Sequence, residues 1–173
     1  MNKEVTTQHK VDAQFVERFY QNEQQILNGD PEYIATMRRD SIKSFEKAGI
    51  PRHPMESWRN TELDPALDLN YTHELKRDKR KINIHDIFQC QVHNFETYLV
   101  SQLNGYYAFT DSAIRELDNG VIIGSLREAF HKYPDIVKAH FGKYAKTDSH
   151  GLVPLNTAFI QDGLFIYVPE NVH

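Results

Sequence analysis

The chain has 173 residues, of which 40% are apolar and 25% charged, so it is long enough to bury one globular core and is not disordered throughout. Its 20 lysines and arginines against 24 acidic residues give a net charge of -4, which excludes a strongly basic nucleic-acid footprint. Cys90 is the single cysteine, which excludes an internal disulfide framework. No apolar run approaches the ~20 residues that a membrane helix needs. We therefore expect a soluble cytoplasmic protein that binds neither nucleic acid nor membrane.

A helical hairpin is the first predicted element. Asn28-Gly29 separates two apolar stripes of three- and four-residue period, each typical of an amphipathic helix. Asp30 is predicted to cap the second helix, with Pro31 at its first position, and Gly49 to end it in a left-handed conformation. The first stripe is Val11, Phe15, Val16, Phe19 and Ile26, and the second is Ile34, Met37, Ile42 (or Ser41), Phe45 and Ala48.

Residues 50–80 interrupt this periodicity. Pro51, Pro54 and Pro65 disfavour a continuing helix. The charge run at residues 76–81 is interpreted as a solvated loop rather than a phosphate-binding patch, because the rest of the chain is acidic. We therefore predict a division into residues 1–80, a helical hairpin with an irregular proline-rich loop, and residues 81–173, a small α+β region.

β character begins near Ile82. Asn104-Gly105 lies between two β-prone runs and predicts a tight hairpin. A strand at residues 121–123 follows Asn119-Gly120, and residues 164–168 form the last strand, with helices predicted between them. Ser125 and Glu128 have capping-box spacing, and Pro134 opens the next helix. This order indicates an α+β fold.

Residues 168–173, VPENVH, follow the last predicted strand directly. With nothing after that strand to close the sheet, we expect the chain to be a fragment of a longer protein.

The nine histidines provide no recognisable metal motif. None forms H-x-x-x-H or H-E-x-x-H, and the phosphate-binding glycine patterns and the G-x-S-x-G elbow are also missing from the sequence. Cys90 with His85 and His93 leaves open a thiol- or histidine-dependent metal enzyme, or an iron carrier. A buried structural cysteine is favoured, because no basic neighbour is evident that would lower its pKa.

Two segments are dense in distinctive residues. The first runs from Gly49 to Thr61 and holds Trp58 between Glu56 and Arg59; Trp58 is either a binding anchor or, as we favour, a loop staple with Arg59 paired to Glu56. The second, residues 155–169, is interpreted as a helix, an Asp162-Gly163 turn and a core strand. Asn156 is expected to be buried and to satisfy nearby backbone groups.

Both segments resemble the SufD family of the SUF iron–sulfur cluster assembly system. Gly-Ile-Pro at 49–51 with Glu56, Trp58, Arg59 and Thr61 is similar to its G-[IL]-P…E-x-W-[KR]-[YF]-T signature. Residues 155–169 are similar to L-N-x-A-x-x-x-D-G-x-x-x-x-[VI]-P, and residues 104–105 and 119–129 resemble segments between the two. Two residues depart from the pattern: Asn60 stands where the family usually has an aromatic residue, and Pro54 where it often has a basic one.

The resemblance implies the N-terminal domain of a longer scaffold subunit that is not an enzyme. In that family the last strand leads into a right-handed β-helix, the protein pairs with its paralogue SufB, and both contact the ATPase SufC. The functional residues of the family lie in those later regions, so no catalytic, cofactor-binding or metal-binding residue is assigned here. The chain would hold no cofactor of its own, the cluster being assembled by the full complex. We also expect exposed apolar surface near Leu164 to Val172 and self-association of the isolated chain through that edge.

Overall fold

The computed structural model describes residues 9–68, 75–76, 100–108, 112–145 and 150–172. It divides into two compact units. The first comprises Met1–His73 with Lys138–Ile160, and the second comprises Glu74–Val137 with Gln161–His173. Much of residues 69–99 lies outside the described residues, including Cys90 and the predicted boundary near residue 80, which therefore stays a prediction.

The first unit is built from helices. The predicted hairpin is confirmed as α1 (Lys10–Gln21), α2 (Glu23–Ile26) and α3 (Glu32–Ala48). A 3₁₀ turn (Glu56–Trp58) and α4 (Asp64–Leu67) follow in the proline-rich segment. The later helix α7 (Leu152–Phe159) packs along α3. This unit is therefore closed by a segment more than a hundred residues downstream of the hairpin.

The apolar stripes form the core of this unit. Phe19, Ile26, Ile34, Ile42 and Phe45 are almost inaccessible to solvent. Two predictions at the helix ends were wrong. Ala48 is exposed, because it is the last residue of α3. Asp30 is not the N-cap residue, since Pro31 occupies that position.

The Asp30 side chain is instead paired with a buried arginine. Arg38 Nε lies 2.7 Å from Asp30 Oδ2, and the two side chains are 1% and 0% exposed. Arg38 falls in the same stripe as Ile34 and Ile42. A charge buried this deeply is expected to depend on its partner.

The second unit contains two antiparallel sheets. β1 (Ser101–Leu103) and β2 (Tyr106–Ala108) form the predicted hairpin, in which Asn104 and Gly105 have φ of 50° and 83°. β3 (Ile114–Glu116), β4 (Ile122–Ser125) and β5 (Leu164–Tyr167) form the other sheet in that order. β3 was not predicted from the sequence.

Helices α5 (Leu126–Lys132) and α6 (Pro134–His140) follow β4, and Ser125 caps α5 by accepting from the Glu128 N–H, as its spacing predicted. On one face of the three-stranded sheet, Tyr133 stacks on Phe165 with centroids 5.9 Å apart. On the other, Leu164, Ile166 and Val168 are 36%, 54% and 52% exposed, which confirms the expected exposed apolar surface. Taken together, the helical hairpin, short helices and small antiparallel sheets confirm the α+β class.

No helix within the described ranges is long and apolar enough to cross a membrane.

Candidate functional site

The Gly49–Thr61 segment is held at its base by Arg52. Its guanidinium donates to both carboxylate oxygens of Asp12 at 2.9 and 3.0 Å, and to both of Asp64 at 2.6 Å. Its remaining donor reaches the Ile50 carbonyl at 3.0 Å. All five guanidinium N–H groups are thus committed to internal acceptors. Arg52 therefore braces the loop against α1 and α4 rather than presenting a free cation to a ligand.

Charge pairing also shifts the pKa of Asp64. The hydrogen bonds from Arg52 lower it below the ordinary value of 3.8, while partial burial opposes the shift. Because the pKa is lowered in the folded state, the ionised pair stabilises the fold above about pH 3.8. This contribution is lost as the pH falls through the folded-state pKa.

Asp64→Asn should therefore lower the free energy of unfolding most at neutral pH. We expect its difference from the parent protein to narrow as the pH falls below about 3.8, where Asp64 is protonated first in the unfolded state, and to be lost once the pH falls through the lower folded-state pKa. Urea unfolding between pH 2.5 and 7 checks this. Glu62→Gln, which removes an exposed carboxylate two residues away, is the control. A difference that stays constant over the whole pH range would contradict the prediction.

Two glycines of the first unit approach each other closely beside this cluster. Gly49 ends α3, as predicted, and its φ is positive, but with φ 62° and ψ -177° it adopts an extended conformation that essentially only glycine adopts and not the left-handed helical one that was predicted. The Gly151 N–H donates to the Gly49 carbonyl at 2.9 Å. A Cβ on Gly151 would lie 2.2 Å from that oxygen. This backbone contact fastens the start of α7 to the end of α3.

Gly151→Ala is expected to destabilise the protein by about 1–3 kcal/mol, because the new methyl group meets rigid backbone. Thermal and urea unfolding would measure the loss. Gly163→Ala is the matched control, since the nearest atoms to its Cβ would be side-chain atoms of Leu126 and Gln102, at ordinary distances of 3.4 to 3.9 Å. Equal effects of the two substitutions would contradict the steric argument.

Trp58 is half-buried. Its ring contacts the ring of His150, the residue before Gly151, edge-on, with the two centroids 5.5 Å apart. Arg59 forms an exposed ion pair with Glu56, as the staple interpretation predicted. The contact with His150 was not foreseen, because 92 residues separate the two rings in the sequence. These contacts favour the staple over the binding anchor.

The second distinctive segment centres on Asp162, which is 8% exposed. Its Oδ1 accepts from the Ser125 hydroxyl at 2.7 Å and from the Arg127 N–H at 3.1 Å, and its Oδ2 accepts from the Tyr107 N–H at 3.0 Å. Ser125 in turn accepts from the Glu128 N–H. Asp162 therefore joins β2, the end of β4 and the first turn of α5.

The Asp162-Gly163 turn was predicted from the sequence, but the hydrogen bonds of the Asp162 carboxylate were not. The prediction that Asn156 is the buried polar residue of the segment was wrong. Asn156 is exposed, whereas Gln161 and Asp162 are buried. Asn156 lies on the outer side of α7, since the helical period turns Pro154 and Ala158 inward instead.

The competing thiol and histidine hypothesis concerns Cys90, His85 and His93. All three lie outside the described residues, so their predicted convergence stays untested. Within the ranges that the structure describes, no group of three or more histidine, cysteine or acidic side chains is arranged to hold a metal ion. The Arg52 and Asp162 clusters are bonded to groups of the chain itself.

Comparison with known proteins defines the family. Residues 9–173 match the model of the SufBD protein N-terminal region. The chain is 34% identical over 131 residues to the iron–sulfur cluster assembly SufBD family protein slr0074 of Synechocystis, covering 76% of this chain and 20% of that protein. It is 22% identical over 167 residues to the iron–sulfur cluster assembly protein SufD of Bacillus subtilis, covering 96% of this chain and 37% of that protein. An Arabidopsis thaliana relative, the iron–sulfur cluster assembly SufBD family protein ABCI9, is 43% identical over 53 residues, covering 31% of this chain and 11% of that protein.

The chain belongs to the SufBD family and corresponds to its N-terminal region. This confirms the resemblance read from the Gly49–Thr61 and 155–169 segments. The chain spans between 11% and 37% of the length of these three relatives. No solved structure matches it significantly.

Proposed function

We propose that this chain is the N-terminal module of a SufD-like subunit in a SUF iron–sulfur cluster assembly complex. The observation that carries the proposal is the family match over residues 9–173. The proposed partners of the whole protein are a SufB paralogue and the ATPase SufC. The proposed location is cytoplasmic, although one relative is named as chloroplastic.

The proposed role is structural and not enzymatic. Arg52 and Asp162 are the most densely hydrogen-bonded polar side chains of the two distinctive segments, and their bonds go to groups of the chain itself. Such bonding rigidifies a fold and leaves little capacity for proton transfer or ligand binding. In this proposal the module holds no cofactor, and the cluster is the product of the full complex.

The exposed face of β5 is the proposed junction with the rest of the protein. Outward-facing residues of a solvated antiparallel sheet are usually polar, whereas Leu164, Ile166 and Val168 are apolar. We propose that a β-helix following this region covers them in the full-length protein. The isolated chain should then self-associate weakly, and Ile166→Ser should reduce that association in sedimentation measurements.

An antibody raised against this chain provides the test of the assembly role. We would purify the native antigen from its source cells under mild conditions and identify the associated proteins by mass spectrometry. Recovery of a polypeptide well above 20.2 kDa with an ATPase and a second SufBD-family protein supports the proposal. A 20.2 kDa species recovered alone would contradict it.

A second experiment separates a scaffold from an iron carrier. The purified chain is titrated anaerobically with ferrous iron and sulfide, and unbound material is removed by gel filtration. The proposal expects no visible absorption to remain with the protein. Retained absorption that disappears in Cys90→Ser would instead establish the carrier alternative.

A further inference from the structure

The three Asn-Gly pairs of the chain are not chemically equivalent in the folded protein. Asparagine followed by glycine can deamidate without an enzyme, because the glycine backbone nitrogen reaches the asparagine side-chain carbonyl with little steric hindrance. The pairs are 28–29, 104–105 and 119–120, and each lies in a different turn. We propose that Asn119 is the site of spontaneous deamidation in the native chain.

The geometry at Asn119 favours attack on its side chain. Asn119 and Gly120 are both exposed, and Gly120 has φ 82°. The Val121 N–H donates to Asn119 Oδ1 at 3.2 Å. This bond folds the side chain back over its own backbone and stabilises negative charge on Oδ1 when the carbonyl is attacked.

The reaction is balanced with water as its only co-reactant. The Gly120 nitrogen loses its proton and forms a bond to Asn119 Cγ, the bond from Cγ to Nδ2 breaks, and ammonia leaves. Water then opens the resulting succinimide to aspartate or isoaspartate. The Gly120 N–H donates to the Leu117 carbonyl at 2.8 Å, so this exposed bond must open first. The native rate should therefore lie below that of the unfolded chain.

The Asn104-Gly105 pair is more tightly constrained. It forms the two-residue loop of a hairpin whose closing pair is Leu103 with Tyr106. Moving the Gly105 nitrogen towards the Asn104 side chain would disturb that pair directly. In the turn at Asn119 the Leu117 N–H donates to the Val121 carbonyl at 2.8 Å, one position beyond the paired Glu116 and Ile122. The Gly120 nitrogen can therefore leave the Leu117 carbonyl and approach the Asn119 side chain without breaking the paired strands.

Asn28-Gly29 is constrained by the residue that follows it. The Asp30 N–H donates to the Leu27 carbonyl at 3.0 Å, and the Asp30 side chain lies in the buried ion pair with Arg38. Rearrangement of this turn would therefore displace the buried Asp30 carboxylate from Arg38. We expect Asn28 to react more slowly than Asn119 for this reason.

Peptide mapping by mass spectrometry tests the proposal. The full chain is incubated at mildly alkaline pH, folded and in denaturant, and deamidation of each pair is followed over time. In the folded chain we expect Asn119 to deamidate a few-fold to about tenfold faster than the other two asparagines. The factor is small because an exposed donor such as the Val121 N–H accelerates a reaction far less than the ~10²–10³ of a preorganised oxyanion site. In denaturant the three rates should rise and become similar.

Matched variants extend the test to the intact protein. Asn119→Gln should slow the appearance of acidic species on isoelectric focusing, since glutamine would need a less favourable six-membered ring, whereas Asn104→Gln should leave it unchanged. Circular dichroism checks that both variants fold. If Asn104 or Asn28 reacts as fast as Asn119 in the folded chain, or if Asn119 stays intact there while it reacts in denaturant, the proposal is overturned.

Discussion

Arg38→Ala is expected to lower the free energy of unfolding by about 3–5 kcal/mol. The substitution leaves the Asp30 carboxylate, whose side chain is 0% exposed, without the guanidinium 2.7 Å away. A buried carboxylate without its partner costs far more than the lost attraction alone, because it cannot recover its hydration. Urea unfolding at neutral pH, followed by circular dichroism, measures the loss.

The neighbouring arginine supplies the control. Arg39 pairs with Glu23 at 2.8 Å, but both side chains are substantially exposed. Arg39→Ala should therefore cost far less than Arg38→Ala, because an exposed ion pair contributes little to stability. The double variant Arg38→Met with Asp30→Leu should be less destabilised than Arg38→Ala, since it leaves no buried charge. Equal effects of Arg38→Ala and Arg39→Ala would show that burial of the pair has no energetic consequence.

The sequence could predict the helical hairpin because its signals are local. The stripes recur every three or four residues, and Gly49 marks the end of α3 within one turn. The same period also places Arg38 in the second apolar stripe. Arg38 lies four residues from both Ile34 and Ile42, so a charged side chain in the middle of an apolar stripe indicated a buried partner. The identity of that partner could not be read, because Asp30 also suited a helix cap.

The Arg52 and Asp162 clusters could not be assembled from the sequence. Arg52 meets Asp12 across 40 residues, and Asp162 meets Tyr107 across 55. Contacts at such separations depend on how the elements pack, and no local period encodes them. Of the residues that were singled out, Asp162 lies in one of these clusters, and Gly49 and Trp58 lie in the segment that Arg52 braces. Their roles became visible only with partners that are distant in the sequence.

Asp162→Ala is the other substitution with a large expected effect, again about 3–5 kcal/mol. It removes the acceptor of the buried Ser125 hydroxyl and of the part-buried Arg127 and Tyr107 N–H groups, and a donor left unsatisfied costs about 1–3 kcal/mol where it is buried. Asp162→Asn should cost less, because its remaining carbonyl still accepts from one side. Asn156→Ala, at an exposed position in the same segment, should change stability by no more than about 0.5 kcal/mol.

A double-mutant cycle then tests whether Asp162 acts through the cap of α5. Ser125→Ala alone should cost about 1 kcal/mol, the usual value of a serine N-cap. Combined with Asp162→Ala, it should add less than that, because its hydroxyl has already lost the 2.7 Å bond to the carboxylate. Additive losses would mean that Asp162 stabilises the unit through Tyr107 and Arg127 alone. A smaller combined loss assigns the carboxylate and the hydroxyl to one coupled cap, which fastens α5 to the strands on either side.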